Sequence, residues 1–203
     1  MEKIGKSPLL PLEDETQSKR RMIDLTSINQ GDFYLPDYYA SQITDIDFEK
    51  LKQQGVRFAL FDVDNTLTKV HENEIPQDVL TFLSNVLKSQ QVEQIYLVSN
   101  SRRDLSCLAR VLGATIIKPG IIRNKKPYKS FFNQIIETIR CKPEEVAMIG
   151  DKIVHDIYGA RRLGIKTVLV DPIGPFVWPY YLFGLSRKEK KHRKHLEESK
   201  SKL

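Results

Sequence analysis

Two aspartates one residue apart, Asp62 and Asp64, are the residues whose type and spacing most clearly suggest chemistry. They lie in the stretch RFALFDVDNTLTKV, where apolar residues lead directly into the pair. Side chains at positions i and i+2 of an extended chain point the same way, so these carboxylates would repel each other. A hard divalent cation with oxygen ligands would hold such a pair together. Solvated carboxylates in a turn are the alternative interpretation.

A calcium-binding loop is a further use of closely spaced acids, but its pattern fails here. That loop needs Asp or Asn at its first, third and fifth positions, Gly at the sixth and Glu at the twelfth. Counted from Asp62, the fifth position is Thr66, the sixth is Leu67 and the twelfth is Asn73. The sequence therefore does not predict a calcium loop.

Polar residues also follow other apolar runs of the chain. The segment IGDKIVHD contains Asp151 and, five residues later, Asp156. Three or four carboxylates that converge without a metal would repel each other or take up protons. Mg²⁺ would relieve this repulsion, and Mg²⁺ beside carboxylates commonly serves a phosphate site.

A phosphate group also needs hydrogen-bond donors and a cation. The segment VSNS supplies the Ser99 hydroxyl, the Asn100 amide and backbone N–H groups that precede a predicted helix, where anions bind favourably. The segment RNKKP, residues 123–127, adds Lys125 and Lys126. A lone KKP is typical of a solvated loop, but its place between VSNS and IGDKIVHD favours a phosphate-binding role.

The hydrophobic pattern predicts the elements that must position these residues. Strands are predicted at 56–64, 94–100, 114–119, 145–151 and 166–172, and helices at 77–89, 101–113, 128–140 and 157–164. The predicted strands are continuous apolar runs, and they alternate with helices. This pattern indicates an α/β fold, a doubly wound parallel sheet of about five strands covered on both faces. Ligands bind beyond the carboxyl ends of such strands, so the polar residues that follow the strands are expected to meet there.

In this order and on these elements, the residues resemble the haloacid dehalogenase (HAD) superfamily of Asp-dependent phosphatases. The resemblance rests on DVDNT at 62–66, Ser99, Lys126 and GDKIVHD at 150–156. Longer stretches, 33–67 and 125–173, are similar to the capless YqeG-type branch, which is grouped with the phosphatidylglycerophosphate phosphatases. The resemblance implies a HAD-like fold and an Mg²⁺-dependent phosphomonoesterase that converts phosphatidylglycerophosphate to phosphatidylglycerol.

The resemblance also implies a role for each matching residue. Asp62 is the nucleophile that forms an aspartyl-phosphate, and Asp64 is the acid that protonates the leaving alcohol and later activates water. Thr66 supports the turn, and Asp156 orients Lys126 or a metal-bound water. The implied site residues are catalytic Asp62, Asp64 and Lys126; phosphate-binding Thr66, Ser99, Asn100 and Lys126; metal-binding Asp62, Asp64 (through its carbonyl) and Asp151; and supporting Asp156.

The spacing of the motifs leaves no room for an inserted cap domain, so an open site is expected. An open site suits a phosphate on something large, such as a protein, a nucleic acid or a lipid headgroup. A capless phosphatase of phosphoproteins, nucleic-acid ends or small phosphomonoesters is therefore an alternative to the lipid enzyme. A non-catalytic phosphate-binding module is another, although a pure binder has no need of Asp64 as an acid.

Charge is unevenly placed along the chain. The formal net charge is +6, and residues 186–203 hold eight Lys or Arg against three Glu. We therefore divide the chain into a flexible lead at 1–30, a HAD-like domain at 31–185 and a basic tail at 186–203. The tail and the aromatic run at 176–183 suit an anionic membrane surface, where each Lys or Arg contributes about 1 kcal/mol. An aromatic flap on the sheet and a solvated helical tail are the alternative.

The remaining features concern location and other partners. Two cysteines outside any metal-ligand spacing fit a reducing compartment. The absence of a signal peptide and of a run of about 20 apolar residues predicts a cytoplasmic protein, peripheral at a membrane. No aromatic–basic RNA motif accompanies the tail, which argues against nucleic acid. The final SKL matches a peroxisomal address, which a tail rich in Lys and Ser also produces by chance.

Overall fold

A computed structural model describes residues 22–120, 124–175 and 185–201 of the chain. The aromatic run at 176–183, residues 1–21 of the predicted lead and the last two residues of SKL lie outside the described residues. The predictions for these segments stay predictions.

Within the described residues, seven strands form one sheet in the order β1-β2-β7-β6-β3-β4-β5. Their bounds are Ile23–Asp24 (β1), Tyr38–Ala40 (β2), Phe58–Phe61 (β3), Gln94–Val98 (β4), Thr115–Ile117 (β5), Val146–Gly150 (β6) and Lys166–Val170 (β7). Neighbouring strands are parallel except for β1 and β2, which are antiparallel. The predicted α/β fold is confirmed, with two more strands than expected. At two and three residues, β1 and β2 are too short to show a periodic pattern.

Helices connect the strands and cover both faces of the sheet. Their bounds are Phe48–Gln53 (α1), Gln77–Lys88 (α2), Ser106–Leu112 (α3), Lys129–Ile139 (α4), Tyr158–Arg161 (α5) and Leu185–Lys200 (α6). Helix α3 begins later than predicted because the serines before it bond to the nearby main chain: Ser99 Oγ accepts from Ser101 N, and Ser101 Oγ accepts from Arg103 N. A π-helical turn at Ile153–Ile157 leads directly into α5.

Alternate residues of β3 pack into different cores. Ala59 and Phe61 belong to an apolar cluster that includes Leu83 of α2, and Phe58 and Leu60 belong to one that includes Phe131 of α4. This alternation follows from the two-residue period of a strand. Because helices cover both faces, the strand is apolar throughout, as the sequence predicted. The described residues between the strands contain no cap domain.

The register of the three central strands places the predicted site residues at one edge. Phe61 of β3 pairs with Leu97 of β4 and with Ile149 of β6. The residues that follow these strands therefore leave the sheet side by side at its carboxyl edge. The chain runs from β3 to β4 on one side and returns to β6 on the other, which opens a crevice for a ligand.

The described parts of the predicted lead and tail pack on the sheet. Leu25, which follows β1, and Leu196 of α6 are buried in one apolar cluster with Leu169 of β7. Helix α6 is therefore partly buried rather than fully solvated, although the predicted domain boundaries stay a prediction. None of the described helices is long and apolar enough to cross a membrane.

Candidate active site

A pocket of about 230 Å³ lies where β3, β4 and β6 end. The predicted site residues in its wall are Asp62, Asp64, Ser99, Asn100, Lys126 and Asp156. The other two, Thr66 and Asp151, are in contact with this group, since Thr66 Oγ1 lies 3.3 Å from Asp151 Oδ1 and 3.5 Å from Asp62 Oδ2. The structure thus brings all of the sequence-predicted site residues together, while their roles stay predictions.

Asp62 directly follows β3 and is buried, with 5% of the residue exposed. Its Oδ1 accepts a hydrogen bond from Lys126 Nζ at 2.5 Å. Burial opposes the charge of this carboxyl, but the ammonium groups of Lys126 and Lys152 outweigh burial and hold its pKa below the usual value. Asp62 is therefore ionised at neutral pH, as a nucleophilic carboxylate must be.

Lys126 is held at its ammonium group and at its main chain. Its Nζ lies 2.7 Å from Asp156 Oδ1 and donates to the Val98 carbonyl at 3.2 Å. Burial disfavours its charge, but Asp156 and Asp62 outweigh burial and raise the pKa of this amine. Lys126 N donates to Asn100 Oδ1, and Asn100 Nδ2 donates to the Lys126 carbonyl, both at 2.9 Å. Asn100 thus positions Lys126 here, and its predicted phosphate contact stays a prediction.

The two aspartates of the DVD motif pair with different cations. Whereas Asp62 pairs with Lys126, Asp64 Oδ1 lies 3.0 Å from Arg103 Nη2 and accepts from His71 N at 3.3 Å. The extended strand ends at Phe61, and Asn65 adopts the left-handed backbone conformation with a φ of 70°. The chain therefore turns at the pair, which gives each carboxylate its own surroundings.

Three carboxylates could together hold a metal ion. One oxygen from each of Asp62, Asp151 and Asp156 lies within 4.8 Å of the others. Asp151 is fully buried, and its Oδ2 has no hydrogen-bond partner. Burial raises the pKa of Asp151 to about 7, against the opposing charge of Lys152. This buried oxygen-only set fits a hard divalent cation. The Asp64 carboxylate is not part of it.

The Lys152 ammonium lies close to oxygen atoms of the predicted metal ligands. The sequence interpretation gave this lysine no role. Its Nζ is 2.8 Å from Asp151 Oδ1, 3.9 Å from Asp62 Oδ2 and 3.5 Å from the Asp64 carbonyl oxygen. These oxygens belong to the three residues predicted to bind the metal. The only sequence signal for Lys152 was its position next to Asp151, where a lysine is normally interpreted as solvated.

Arg103 is a second functional candidate that the sequence interpretation missed. Besides Asp64, its guanidinium donates to the Glu72 carbonyl at 2.7 Å, to Thr68 Oγ1 at 3.3 Å and to Asn73 Oδ1. It therefore ties the loop after β3 to the segment after β4. The sequence pattern placed this arginine in a helix and carried no signal for these contacts.

Gly150 allows Asp156 to approach the end of β6. A Cβ atom at this position would lie 2.4 Å from Asp156 Oδ2, closer than any side chain allows. The same Oδ2 accepts from Lys152 N at 3.0 Å. His155 also lines the pocket, and burial together with Lys126 and Lys152 lowers its pKa to about 4, so it is neutral at physiological pH.

A second pocket of about 300 Å³ adjoins the first and shares Ser99 and Ser101 with it. Its wall combines cationic and apolar side chains: Arg102, Arg103, Lys118, Leu105, Ile116 and Ile117. Arg102 and Lys118 are exposed. The second pocket thus adds exposed cations and apolar side chains next to the carboxylate site.

Comparisons with known proteins agree with this arrangement. The family model described as mitochondrial PGP phosphatase matches residues 24–174. "Probable phosphatase YqeG" of Bacillus subtilis is 30% identical over 142 residues, which are 70% of this chain and 79% of that protein. "Phosphatidylglycerophosphate phosphatase 1, chloroplastic/mitochondrial" of Arabidopsis thaliana is 26% identical over 171 residues, which are 80% of this chain but only 48% of that protein.

A solved HAD phosphatase from Thermococcus onnurineus has a TM-score of 0.42 and 20% identity, and the match covers 52% of this chain and 50% of that chain. The family match is the stronger finding, because it spans well over half of the chain and includes every residue of the carboxylate site from Asp62 to Asp156. The chain therefore belongs to the mitochondrial PGP phosphatase family and is a phosphatase.

Proposed function

We propose that this protein is an Mg²⁺-dependent phosphomonoesterase that works through an aspartyl-phosphate on Asp62, with phosphatidylglycerophosphate as its substrate and phosphatidylglycerol as its product. The observation that carries the reaction is the buried, ionised Asp62 paired with Lys126 at 2.5 Å. Asp64 and Ser99 line the same pocket. The lipid substrate is supported by the family of the chain and by the name of its Arabidopsis relative.

In the first step, a carboxylate oxygen of Asp62 attacks phosphorus, and the bond from phosphorus to the alcohol oxygen of the substrate breaks. Asp64 gives a proton to that oxygen, so a neutral alcohol leaves. Lys126 and the Ser99 hydroxyl donate to the phosphoryl oxygens, which stabilises the negative charge in the transition state. The product of this step is the acyl phosphate of Asp62.

In the second step, Asp64 is ionised and takes a proton from water, whose oxygen attacks the phosphorus. The bond between phosphorus and Asp62 breaks, which restores the Asp62 carboxylate and releases inorganic phosphate. Arg103 holds Asp64 through both steps. Asp62, Asp151 and the Asp64 carbonyl would hold Mg²⁺, which when bound supplies positive charge against the phosphate. Asp156 would keep Lys126 in place.

The surroundings of the pocket suit a large anionic lipid. Its headgroup has a phosphodiester besides the phosphate to be removed, and Arg102 and Lys118 of the second pocket would contact that second charge. Exposed cations on α6 would face an anionic membrane surface: Arg187, Lys188, Lys190, Lys191 and Lys194. We accordingly propose a peripheral location at the cytoplasmic face of a membrane.

A parallel turnover assay tests this proposal. Purified protein with Mg²⁺ is offered phosphatidylglycerophosphate in mixed micelles, glycerol 3-phosphate and a phosphoserine peptide, and phosphate release is measured. We expect kcat/KM to be at least about 100-fold higher for the lipid. Equal or faster turnover of the soluble esters would contradict the lipid assignment, and no turnover of any substrate with metal bound would contradict the mechanism.

A further inference from the structure

Helix α6 lies outside the residues that match the family model, 24–174, yet it contacts the segment that carries Asp151 and Asp156. This segment begins at the end of β6 and continues through the π-helical turn Ile153–Ile157. The family comparison assigns α6 no role. The contacts of α6 with segment 151–157 are therefore a feature of this chain that the family match does not include.

Glu189 of α6 is 1% exposed and caps the π-helical turn. Its Oε1 accepts from Ile153 N at 2.9 Å, and its Oε2 accepts from Val154 N at 3.1 Å. The first N–H groups of a helical turn have no acceptor within the turn, and a carboxylate at that end is favoured by the helix dipole. A buried carboxylate is costly unless it is paired, so its position is strongly specified by these donors.

Arg193, one helical turn further along α6, contacts Asp151, one of the predicted metal ligands. Its Nε lies 3.2 Å from Glu189 Oε1, and its Nη2 donates to the Asp151 carbonyl. One side chain of α6 therefore bonds directly to the main chain of Asp151, a fully buried carboxylate residue. Glu189 and Arg193 together hold the chain on both sides of Lys152.

Two further contacts fix α6 in place. Leu196 is 1% exposed and shares an apolar cluster with Ile153 and Ile157. The His192 ring stacks on Tyr34, with 3.8 Å between ring centroids. The helix is therefore anchored on both sides of Arg193.

We propose that Glu189 and Arg193 are positioning residues, which hold segment 151–157 so that Asp151 and Asp156 reach Asp62. The proposal rests on the proposed function in taking Asp151 as a metal ligand. A purely stabilising helix would change only the free energy of unfolding. A positioning helix also sets the metal affinity of the folded protein.

The test compares Glu189→Gln with Glu198→Gln in the full chain by isothermal titration with Mg²⁺ and by hydrogen exchange. Glu198 is the matched control, because it lies on the same helix but is exposed. The Gln side chain has one acceptor oxygen, so it can accept a hydrogen bond from Ile153 N or from Val154 N but loses the second carboxylate oxygen. We therefore expect Mg²⁺ to bind about 10- to 100-fold more weakly. We also expect faster exchange at 151–157, with β4 unchanged and the control like wild type.

Wild-type Mg²⁺ affinity and wild-type exchange in folded Glu189→Gln would overturn the proposal, even with a lower Tm. If the wild type itself binds no Mg²⁺, the proposed function fails, and exchange at 151–157 alone then decides the positioning role. Should Glu189→Gln not fold, Arg193→Gln replaces it in the test. The Arg193 side chain is 23% exposed, and its substitution removes the hydrogen bond to the Asp151 carbonyl. Unchanged affinity and exchange in that variant would equally overturn the proposal.

Discussion

At the residue scale, the site is an ion cluster in which two lysines face three buried aspartates. Lys126 lies between Asp62 and Asp156, and Lys152 contacts Asp151. Asp151 keeps an oxygen without a hydrogen-bond partner, and burial raises the pKa of this carboxyl to about 7. A divalent cation at this site would therefore compete with a proton for Asp151.

Asp62 is the first residue to test, by substitution with asparagine. Asp62→Asn keeps the shape of the side chain but removes the anionic oxygen, so we expect turnover to fall by at least about 10³-fold. Circular dichroism should show an intact fold. Phosphate release near the wild-type rate would contradict the assignment of Asp62 as the nucleophile.

Arg103 should affect proton transfer because it holds Asp64. In Arg103→Gln we expect kcat for an alkyl phosphate to fall by about 10²-fold, the usual contribution of a general acid. In the first step, the release of p-nitrophenol from p-nitrophenyl phosphate should slow much less, since this leaving group needs no proton; the second step needs Asp64 for either ester. The control is Arg110→Gln, an exposed position on α3. An equal loss in the first-step rate for both esters would show that Arg103 does not act through the acid.

Lys152 should compete with a divalent cation because its ammonium lies close to the oxygens of Asp62 and Asp151 that would bind the metal. In Lys152→Met we expect Mg²⁺ to bind about tenfold more tightly, a change of about 1.4 kcal/mol. Without metal the variant should have a lower Tm, because Asp62 and Asp151 lose a counter-ion. Titration calorimetry measures the first effect, with Lys129→Met on α4 as an exposed control. Unchanged or weaker Mg²⁺ binding would contradict this competition.

At the element scale, the junction between β6 and the turn that follows it decides whether the site can form. Strand β6 delivers Gly150 and Asp151, and the turn brings Asp156 back over Gly150. Helix α6 holds the same turn from the other side through Glu189. The metal side of the site thus depends on close packing between a strand end, a turn and a helix distant in sequence.

Gly150→Ala tests this close approach. The new methyl group would lie 2.4 Å from Asp156 Oδ2, so the turn must shift. Overpacking of this kind costs about 1–3 kcal/mol, and we expect a loss of that size in the free energy of unfolding in urea. Mg²⁺ affinity should fall as well. Wild-type stability together with wild-type affinity would show that the turn tolerates the shift.

At the scale of the whole molecule, the candidate pocket opens at one edge of the sheet and a basic helix packs beside it. The described residues contain no cap over the pocket. The exposed face of α6 carries five Lys or Arg against two Glu, whereas the residues of α6 that face the sheet are apolar or paired. This arrangement would allow the protein to meet an anionic surface with its site close by.

The basic face of α6 should therefore control membrane binding without affecting the chemistry. The triple variant Lys190→Gln, Lys191→Gln, Lys194→Gln removes three charges worth about 1 kcal/mol each, so we expect about 100-fold weaker binding to vesicles rich in phosphatidylglycerol. Turnover of a soluble ester should stay unchanged. Vesicle co-sedimentation measures binding.

The matched control replaces three exposed lysines that precede β3, β4 and β6, at the opposite edge of the sheet: Lys52, Lys88 and Lys142. We expect this variant to bind vesicles like wild type. Equal losses in both triple variants would indicate a general effect of charge and contradict a specific membrane face.

The sequence alone determined the fold class and the location of the site. Strands buried on both faces are apolar throughout, so the pattern predicted the five parallel strands β3 to β7. Parallel strands end at a shared edge, which is why Asp62, Ser99 and Asp151 could be expected to meet. Their proximity followed from local pattern and topology.

Only the tertiary structure decided what surrounds these residues. Arg103 with Asp64, Lys152 with Asp151 and the Asp64 carbonyl, and Glu189 with the turn at Ile153 are side-chain contacts that no periodic pattern specifies. The strands β1 and β2 were not predicted because two or three residues are too short to show a periodic pattern. Hydrophobic periodicity records which face of an element is buried. The partner of a polar side chain depends on how distant elements pack, and that is fixed only when the chain folds.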